Sequence, residues 1–177
     1  ASQTDTTWKP LYGERDEIPD HYRQLRLALQ ESEAPHLKFN LILRAYDEGI
    51  AFRYEIPKQD SLDTIRIDRE LTAFNFPGDV ALWATSTAQG MYERIQLSSL
   101  KGAVERPLVV ECSDSVYVAI GEAAGLDYPR MRLARSESDA TGLVSALGSK
   151  VSAALSLQTP WRYVMAGNRP GERLEHN

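Results

Sequence analysis

Polar and apolar residues alternate along most of this chain. That is the period of two a half-buried strand requires, because successive side chains leave a sheet on opposite faces. In "HLKFNLILRAY" Leu37, Phe39, Leu41 and Leu43 alternate at first with Lys38 and Asn40, which predicts a strand with one wet side. Asp47-Glu48-Gly49 then supplies a turn. Ile50, Phe52, Tyr54 and Ile56 resume the alternation around Ala51, Arg53 and Glu55, until Pro57 removes a backbone donor. The two runs predict a β-hairpin in which Arg53 and Glu55 share the face opposite the large hydrophobes and need no burial.

The same reading finds a strand in "TIRIDRELTAFNF", with Ile65 and Ile67 in phase, closed by the turn Pro77-Gly78-Asp79. "PLVVECSDSVYVAI" predicts a second hairpin, with Leu108, Val110 and Cys112 on one arm and Val116, Val118 and Ile120 on the other, around Ser113-Asp114-Ser115. "PRMRLARS" is a short strand, and "TPWRYVMAG" another with Trp161, Tyr163 and Met165 on one side. "PDHYRQLRLALQESE" contains helix formers, yet Leu25, Leu27 and Leu29 fall at alternating positions and favour a strand. "LVSALGSKVSAALSLQ" fits a helix or a surface excursion between strands equally well. Many short strands separated by turn residues predict an all-β, antiparallel sandwich or barrel.

Composition narrows the classes. At 177 residues and 42% hydrophobic, the chain is long enough for a buried core and defaults to one domain spanning residues 1–177. A net charge of -5, with both signs interspersed, offers no basic surface for nucleic-acid phosphates. No apolar run approaches the length that spans a bilayer, and "ASQTDTTWKP" lacks the layout of a secretory signal. Cys112 is the sole cysteine, so no internal disulfide forms, and its apolar setting predicts a small core residue.

Chemistry is sparse. His21, His36 and His176 are scattered, without zinc spacing, and no nucleophile elbow, P-loop or dinucleotide fingerprint is present. Acidic pairs such as Asp47 with Glu48 and Glu31 with Glu33 read as solvated turns, because Asp and Glu are mostly exposed. Trp8, Trp83 and Trp161, with Tyr12, Tyr92 and Tyr128, offer aromatic surface for sugar stacking, although packing is the commoner fate of such rings.

Four stretches in order, "WKPLYGERDEIPDHY", "LRAYDEGIAFRYEIP", "IGEAAGLDYPRMRL" and "TPWRYVMAG", resemble the N-terminal domain of glycoside hydrolase family 97, a family of α-glucosidases and α-galactosidases. The resemblance implies a galactose-mutarotase-like two-sheet sandwich, here incomplete at both ends. It also implies that this sandwich precedes a catalytic (β/α)8 barrel and a smaller C-terminal β domain of the same polypeptide, outside these residues. No catalytic residue is then expected on this chain. What it contributes is one ligand to a calcium ion near the catalytic centre, a hard cation that takes six to eight oxygens. "LWATSTAQGMYERIQLSSL" resembles the stretch that carries this ligand, which assigns Glu93, with calcium weak or absent on the isolated chain. Glu122 is expected to bind buried backbone amides in a turn. Family membership further implies a periplasmic or secreted location and an oligosaccharide substrate for the whole enzyme. Uncovered sheet edges imply self-association. The rival reading is a free-standing carbohydrate-binding module using Trp83 or Tyr92, and a third is a structural domain with a stable partner chain.

Overall fold

A computed structural model describes residues 1–13, 15–60 and 62–169. Its strands in chain order begin with β1 (Ser2–Trp8), β2 (Ile18–Gln30), β3 (Lys38–Ala45), β4 (Gly49–Ile56), β5 (Thr64–Ile67), β6 (Ala73–Asn75), β7 (Ala81–Ala84) and β8 (Glu93–Gln96). They continue with β9 (Ala103–Val104), β10 (Leu108–Ser113), β11 (Val116–Ala123), β12 (Met131–Arg135), β13 (Gly142–Leu147), β14 (Val151–Ala154), β15 (Leu157–Gln158) and β16 (Trp161–Gly167). Among the described residues the only helical element is a single 3-10 turn at Leu97–Ser99. The all-β antiparallel expectation is met.

The large sheet runs β1-β2-β3-β4-β16-β11-β10-β7-β8, with β15 added beside β4. A second sheet, β6-β13-β12-β9, packs on one part of it, and β14 pairs with β5 in a small separate ribbon. Between the two main sheets lies the core: Leu82, Leu108, Val110 and Ile120 from the large sheet meet Met131, Leu133, Leu143 and Val104 from the other. Leu82, Leu108, Leu133 and Leu143 are wholly excluded from solvent, and each contributes roughly 1.5–3 kcal/mol by that burial. Cys112 packs against the same cluster, as a small core residue should.

Both predicted hairpins form. In the first, the Tyr46 amide donates to the Gly49 carbonyl at 2.8 Å. Gly49 is needed for a second reason, since a Cβ there would lie 2.2 Å from the Val164 carbonyl oxygen of β16. The leucine-rich segment is a strand, β2, whose Leu25, Leu27 and Leu29 stand directly across from Leu43, Leu41 and Phe39 of β3.

Several expectations need correction. Asn40 and Glu55, placed on a wet face by their spacing, are buried on the same face of β3 and β4. There the Asn40 side-chain amide donates to Glu55 Oε1 at 3.0 Å, Gln158 Nε2 donates to Glu55 Oε2 at 2.8 Å, and Arg26 pairs with the same carboxylate. Alternation fixes which residues share a face; it does not fix which face is covered. "TIRIDRELTAFNF" divides into β5 and β6, which belong to different sheets. Glu70, between them, is buried. The ambiguous stretch 143–158 forms β13, β14 and β15, because pairing with β12, β5 and β4 overrides its Ala- and Leu-rich helix propensity.

Candidate functional site

Three clusters carry polar chemistry. The first is a network of arginine and glutamate between the sheets. Arg162 of β16 has no solvent exposure. Its Nε donates to Glu70 Oε1 at 2.9 Å and its Nη2 to Glu70 Oε2 at 2.7 Å, a bidentate pair, while Nη1 bonds Glu122. Thr72 Oγ1 donates to Glu70 at 2.9 Å and the Tyr128 hydroxyl at 3.4 Å. Glu122 Oε2 also accepts the Met131 amide at 2.9 Å, and its Oε1 accepts Arg106 Nη2 at 3.0 Å. The expected role of Glu122, holding a backbone amide in the β11–β12 connection, is what the geometry displays. Beyond it, Glu105 lies within 3.0 Å of Arg130 and 3.4 Å of Arg106. Arg132 Nε is 3.2 Å from Glu105 Oε1, close enough for an ion pair but without hydrogen-bond alignment. Burial, followed by the charge of Glu70, pushes the Tyr128 phenol well above its ordinary value.

The second cluster surrounds the predicted metal ligand. Glu93 opens β8 opposite Ala84 and is exposed. Its neighbour Tyr92, 45% exposed, donates its hydroxyl to the Pro107 carbonyl at 3.2 Å. Among the described residues no group of three or more His, Cys, Asp or Glu side chains is placed to hold a metal ion. Calcium takes six to eight oxygens, so Glu93 by itself does not make a calcium site. Trp83 is on the outer face of β7, where its indole N–H donates to Glu111 Oε1 at 2.6 Å while Arg94 Nη2 bonds Glu111 Oε2 at 2.6 Å. Arg94 first, then Trp83, holds the Glu111 carboxyl below the ordinary carboxylate range. His21 pairs with Asp5 at 2.9 Å across β1–β2, His36 sits in the loop before β3, and His176 lies outside the described residues.

The third cluster was not singled out by spacing. On the large sheet's outer face is an open cavity of about 580 Å3 whose lining includes Trp8, Asp20, Arg44, Tyr46, Trp161 and Tyr163. The Arg44 guanidinium lies 4.0 Å from the Tyr22 ring centroid and 4.4 Å from that of Trp161. Its Nε donates to Gln24 Oε1 at 3.0 Å and its Nη1 reaches the Tyr46 hydroxyl at 3.4 Å. Arg53 meets the same indole at 4.5 Å. Burial raises the Tyr46 and Tyr163 phenols above their ordinary value. Gly121 lets the Tyr163 ring lie across β11, since a Cβ there would fall 2.2 Å from the ring's Cζ and hydroxyl. The available signal was register: Trp8, Asp20, Arg44, Trp161 and Tyr163 come from four strands whose phases align only once pairing is known.

Fold and charge arrangement together define an antiparallel β-sandwich domain with its buried carboxylates tied to arginines. The sequence profile described as Glycosyl-hydrolase 97 N-terminal matches residues 1–177, and the chain belongs to that family. A glycoside hydrolase family 97 enzyme from Pseudoalteromonas sp., solved in complex with acarbose, is 27% identical and superposes with a TM-score of 0.83 over 95% of this chain and 27% of its own. A variant of that enzyme in complex with panose gives the same identity of 27%, TM-score of 0.83 and coverage of 95% and 27%. A β-arabinopyranosidase at 19% identity shares the fold with a TM-score of 0.81 over 94% of this chain and 31% of its own. The chain thus spans about a quarter to a third of the length of these solved proteins.

Proposed function

We propose that this chain is the non-catalytic N-terminal sandwich of a glycosidase acting on α-glucosides or α-galactosides. In that reading it supports a catalytic (β/α)8 barrel and lends one carboxylate, Glu93, to a calcium ion beside the catalytic centre. The observation that carries the reading is the commitment of the acids. Glu55, Glu70 and Glu105 are buried, the Glu122 side chain is 3% exposed, and all four are ion-paired to arginine, whereas Glu93 is exposed at a strand end. A carboxylate already saturated by guanidinium and amide donors is poorly placed to transfer protons to a substrate. An exposed one at a strand end is available to a cation. The parent enzyme would act on oligosaccharides outside the cytoplasm, in the periplasm or after secretion. The isolated chain would bind calcium weakly and self-associate through its β1 edge and the leucine row of β2. No helix among the described residues is long and apolar enough to cross a membrane.

The test is Glu93→Gln in the enzyme that carries this domain, followed by calcium titration calorimetry. Loss of one charged ligand should weaken calcium by about 10-fold or more and shift the calcium dependence of p-nitrophenyl α-glycoside hydrolysis to higher concentration. Unchanged calcium affinity would remove Glu93 from the site. Metal-dependent turnover by the isolated chain would overturn the non-catalytic assignment itself.

A further inference from the structure

The cavity on the outer face of the large sheet has the construction of a ligand site, and nothing in the calcium reading uses it. Its volume of about 580 Å3 falls within the roughly 300–1,000 Å3 range of small-molecule pockets. Six strands, β1, β2, β3, β4, β11 and β16, contribute most of its lining, with Arg15, Tyr46 and Glu48 from the connections between them. Trp8 is 51% exposed at the end of β1, presenting an uncommitted indole surface. Tyr163 lies across Gly121 on the opposite side.

The polar groups are arranged to receive hydroxyls. Arg44 is clamped by two aromatic rings and spends Nε and Nη1 on Gln24 and Tyr46. A guanidinium carries five N–H donors in a fixed fork, so the Nη2 donors remain for a ligand. Asp20, half-buried on β2, lines the same cavity, together with Arg15 and Glu48. Its carboxylate oxygens are hydrogen-bond acceptors, so a ligand hydroxyl can donate to them. Donor fork, acceptor carboxylate and flat apolar rings in one concavity match a sugar ring, whose hydroxyls take both roles and whose C–H face lies on an aromatic plane. The charges that line the cavity balance, Arg15 and Arg44 against Asp20 and Glu48, which favours a neutral sugar over an anionic one.

We infer that this cavity is an accessory binding site for a neutral pyranose, distinct in residues from the Glu93 region, with Trp8 and Tyr163 as stacking surfaces and Arg44 and Asp20 as hydroxyl partners. The inference leans on the glycosidase reading only for the choice of probe. It relocates the module hypothesis from Trp83 and Tyr92 to Trp8, since the indole N–H of Trp83 and the hydroxyl of Tyr92 already bond to the protein.

The experiment is titration of the chain with panose, and separately with glucose and glucuronate, followed by tryptophan fluorescence and calorimetry. A saturable 1:1 response with Kd of about 0.1–5 mM is expected for a site of this size. Trp8→Ala and Asp20→Asn should each weaken it about 10-fold or more. Gly121→Ala, which forces the Tyr163 ring out of place without touching the core, should weaken it while the denaturation midpoint changes little. Trp83→Ala should leave it unchanged. No saturation at ~20 mM panose would overturn the inference, as would binding insensitive to Trp8→Ala or a preference for glucuronate over glucose. Failure here leaves calcium affinity untouched, so it is distinguishable from failure of the Glu93 assignment.

Discussion

One face of the large sheet lives in two environments. Over β16, β11, β10 and β7 it carries the second sheet, and Leu82, Leu108 and Ile120 fall to 1% exposure or less. Over β2 and β3 the same face presents Leu25, Leu27 and Leu29 at 42%, 38% and 40% exposure, in register with Leu43, Leu41 and Phe39. Side-chain type is alike in the two regions; what differs is the layer above. A hydrophobic alternation therefore records a face built for burial, and the fold decides how much of that burial this stretch of polypeptide supplies for itself. The covered half also encloses charge. Arg162, Glu70 and Glu122 lie at its margin, where the cost of desolvating each ion is met by a bidentate pair and by the Met131 amide.

Arg162→Met should break this contrast most severely. Removing this fully buried cation leaves Glu70 and Glu122 without their shared partner, and the expected loss is about 3–5 kcal/mol in urea denaturation. Adding Glu70→Gln should recover part of it, because the uncompensated carboxylate, and not the missing packing, carries most of the cost. A loss below about 1 kcal/mol would mean that the network is solvated in the native protein.

A smaller effect sharpens the comparison within one residue type. Leu133→Ala, in the closed core, should cost about 2–5 kcal/mol by transfer and cavity terms. Leu27→Ala, on the open row, should cost about 1 kcal/mol or less, since its side chain is already partly in water. The open row should also report on association. Leu27→Asp should lower any concentration-dependent increase of mass in light scattering, while leaving the core's cooperative unfolding intact. Equal destabilisation by Leu133→Ala and Leu27→Ala would show that something covers β2 in solution.

Particular residues show what could be read from the chain alone. The Gly49 turn, the Ser113-Asp114-Ser115 turn and the period-two strands were legible because turn chemistry and alternation are local. The family was legible from four ordered stretches, and Glu122 from its place just after Val116, Val118 and Ile120. Burial of Glu55 and Asn40 was not, because it depends on Arg26 and Gln158, which are distant in sequence. Alternation in "TPWRYVMAG" put Trp161, Tyr163 and Met165 on one side but did not show that Arg162 is buried, since its partner Glu70 lies 92 positions away. The outer cavity is assembled by strand register, which no single segment encodes. Residues 143–158 misled by composition, since Ala and Leu suit helices until a neighbouring strand offers hydrogen bonds.

Tyrosine ionisation offers the gentlest probe of the two environments. Exposed tyrosines such as Tyr12, 90% open to solvent, contrast with three phenols that the fold encloses. Tyr128, between the sheets, is held above the ordinary value by burial and then by Glu70; Tyr46 and Tyr163, on the outer face, are raised chiefly by burial. A phenol whose folded pKa exceeds its unfolded one contributes stability that is present in full below about pH 10 and is lost as pH rises through the folded value. Absorbance at alkaline pH should accordingly show a late class that includes Tyr128, Tyr46 and Tyr163, and urea should abolish it. Tyr128→Phe should delete the slowest component and leave the Tyr46 and Tyr163 steps in place. A native curve that coincides with the urea curve would mean that neither the space between the sheets nor the outer cavity excludes water from these rings.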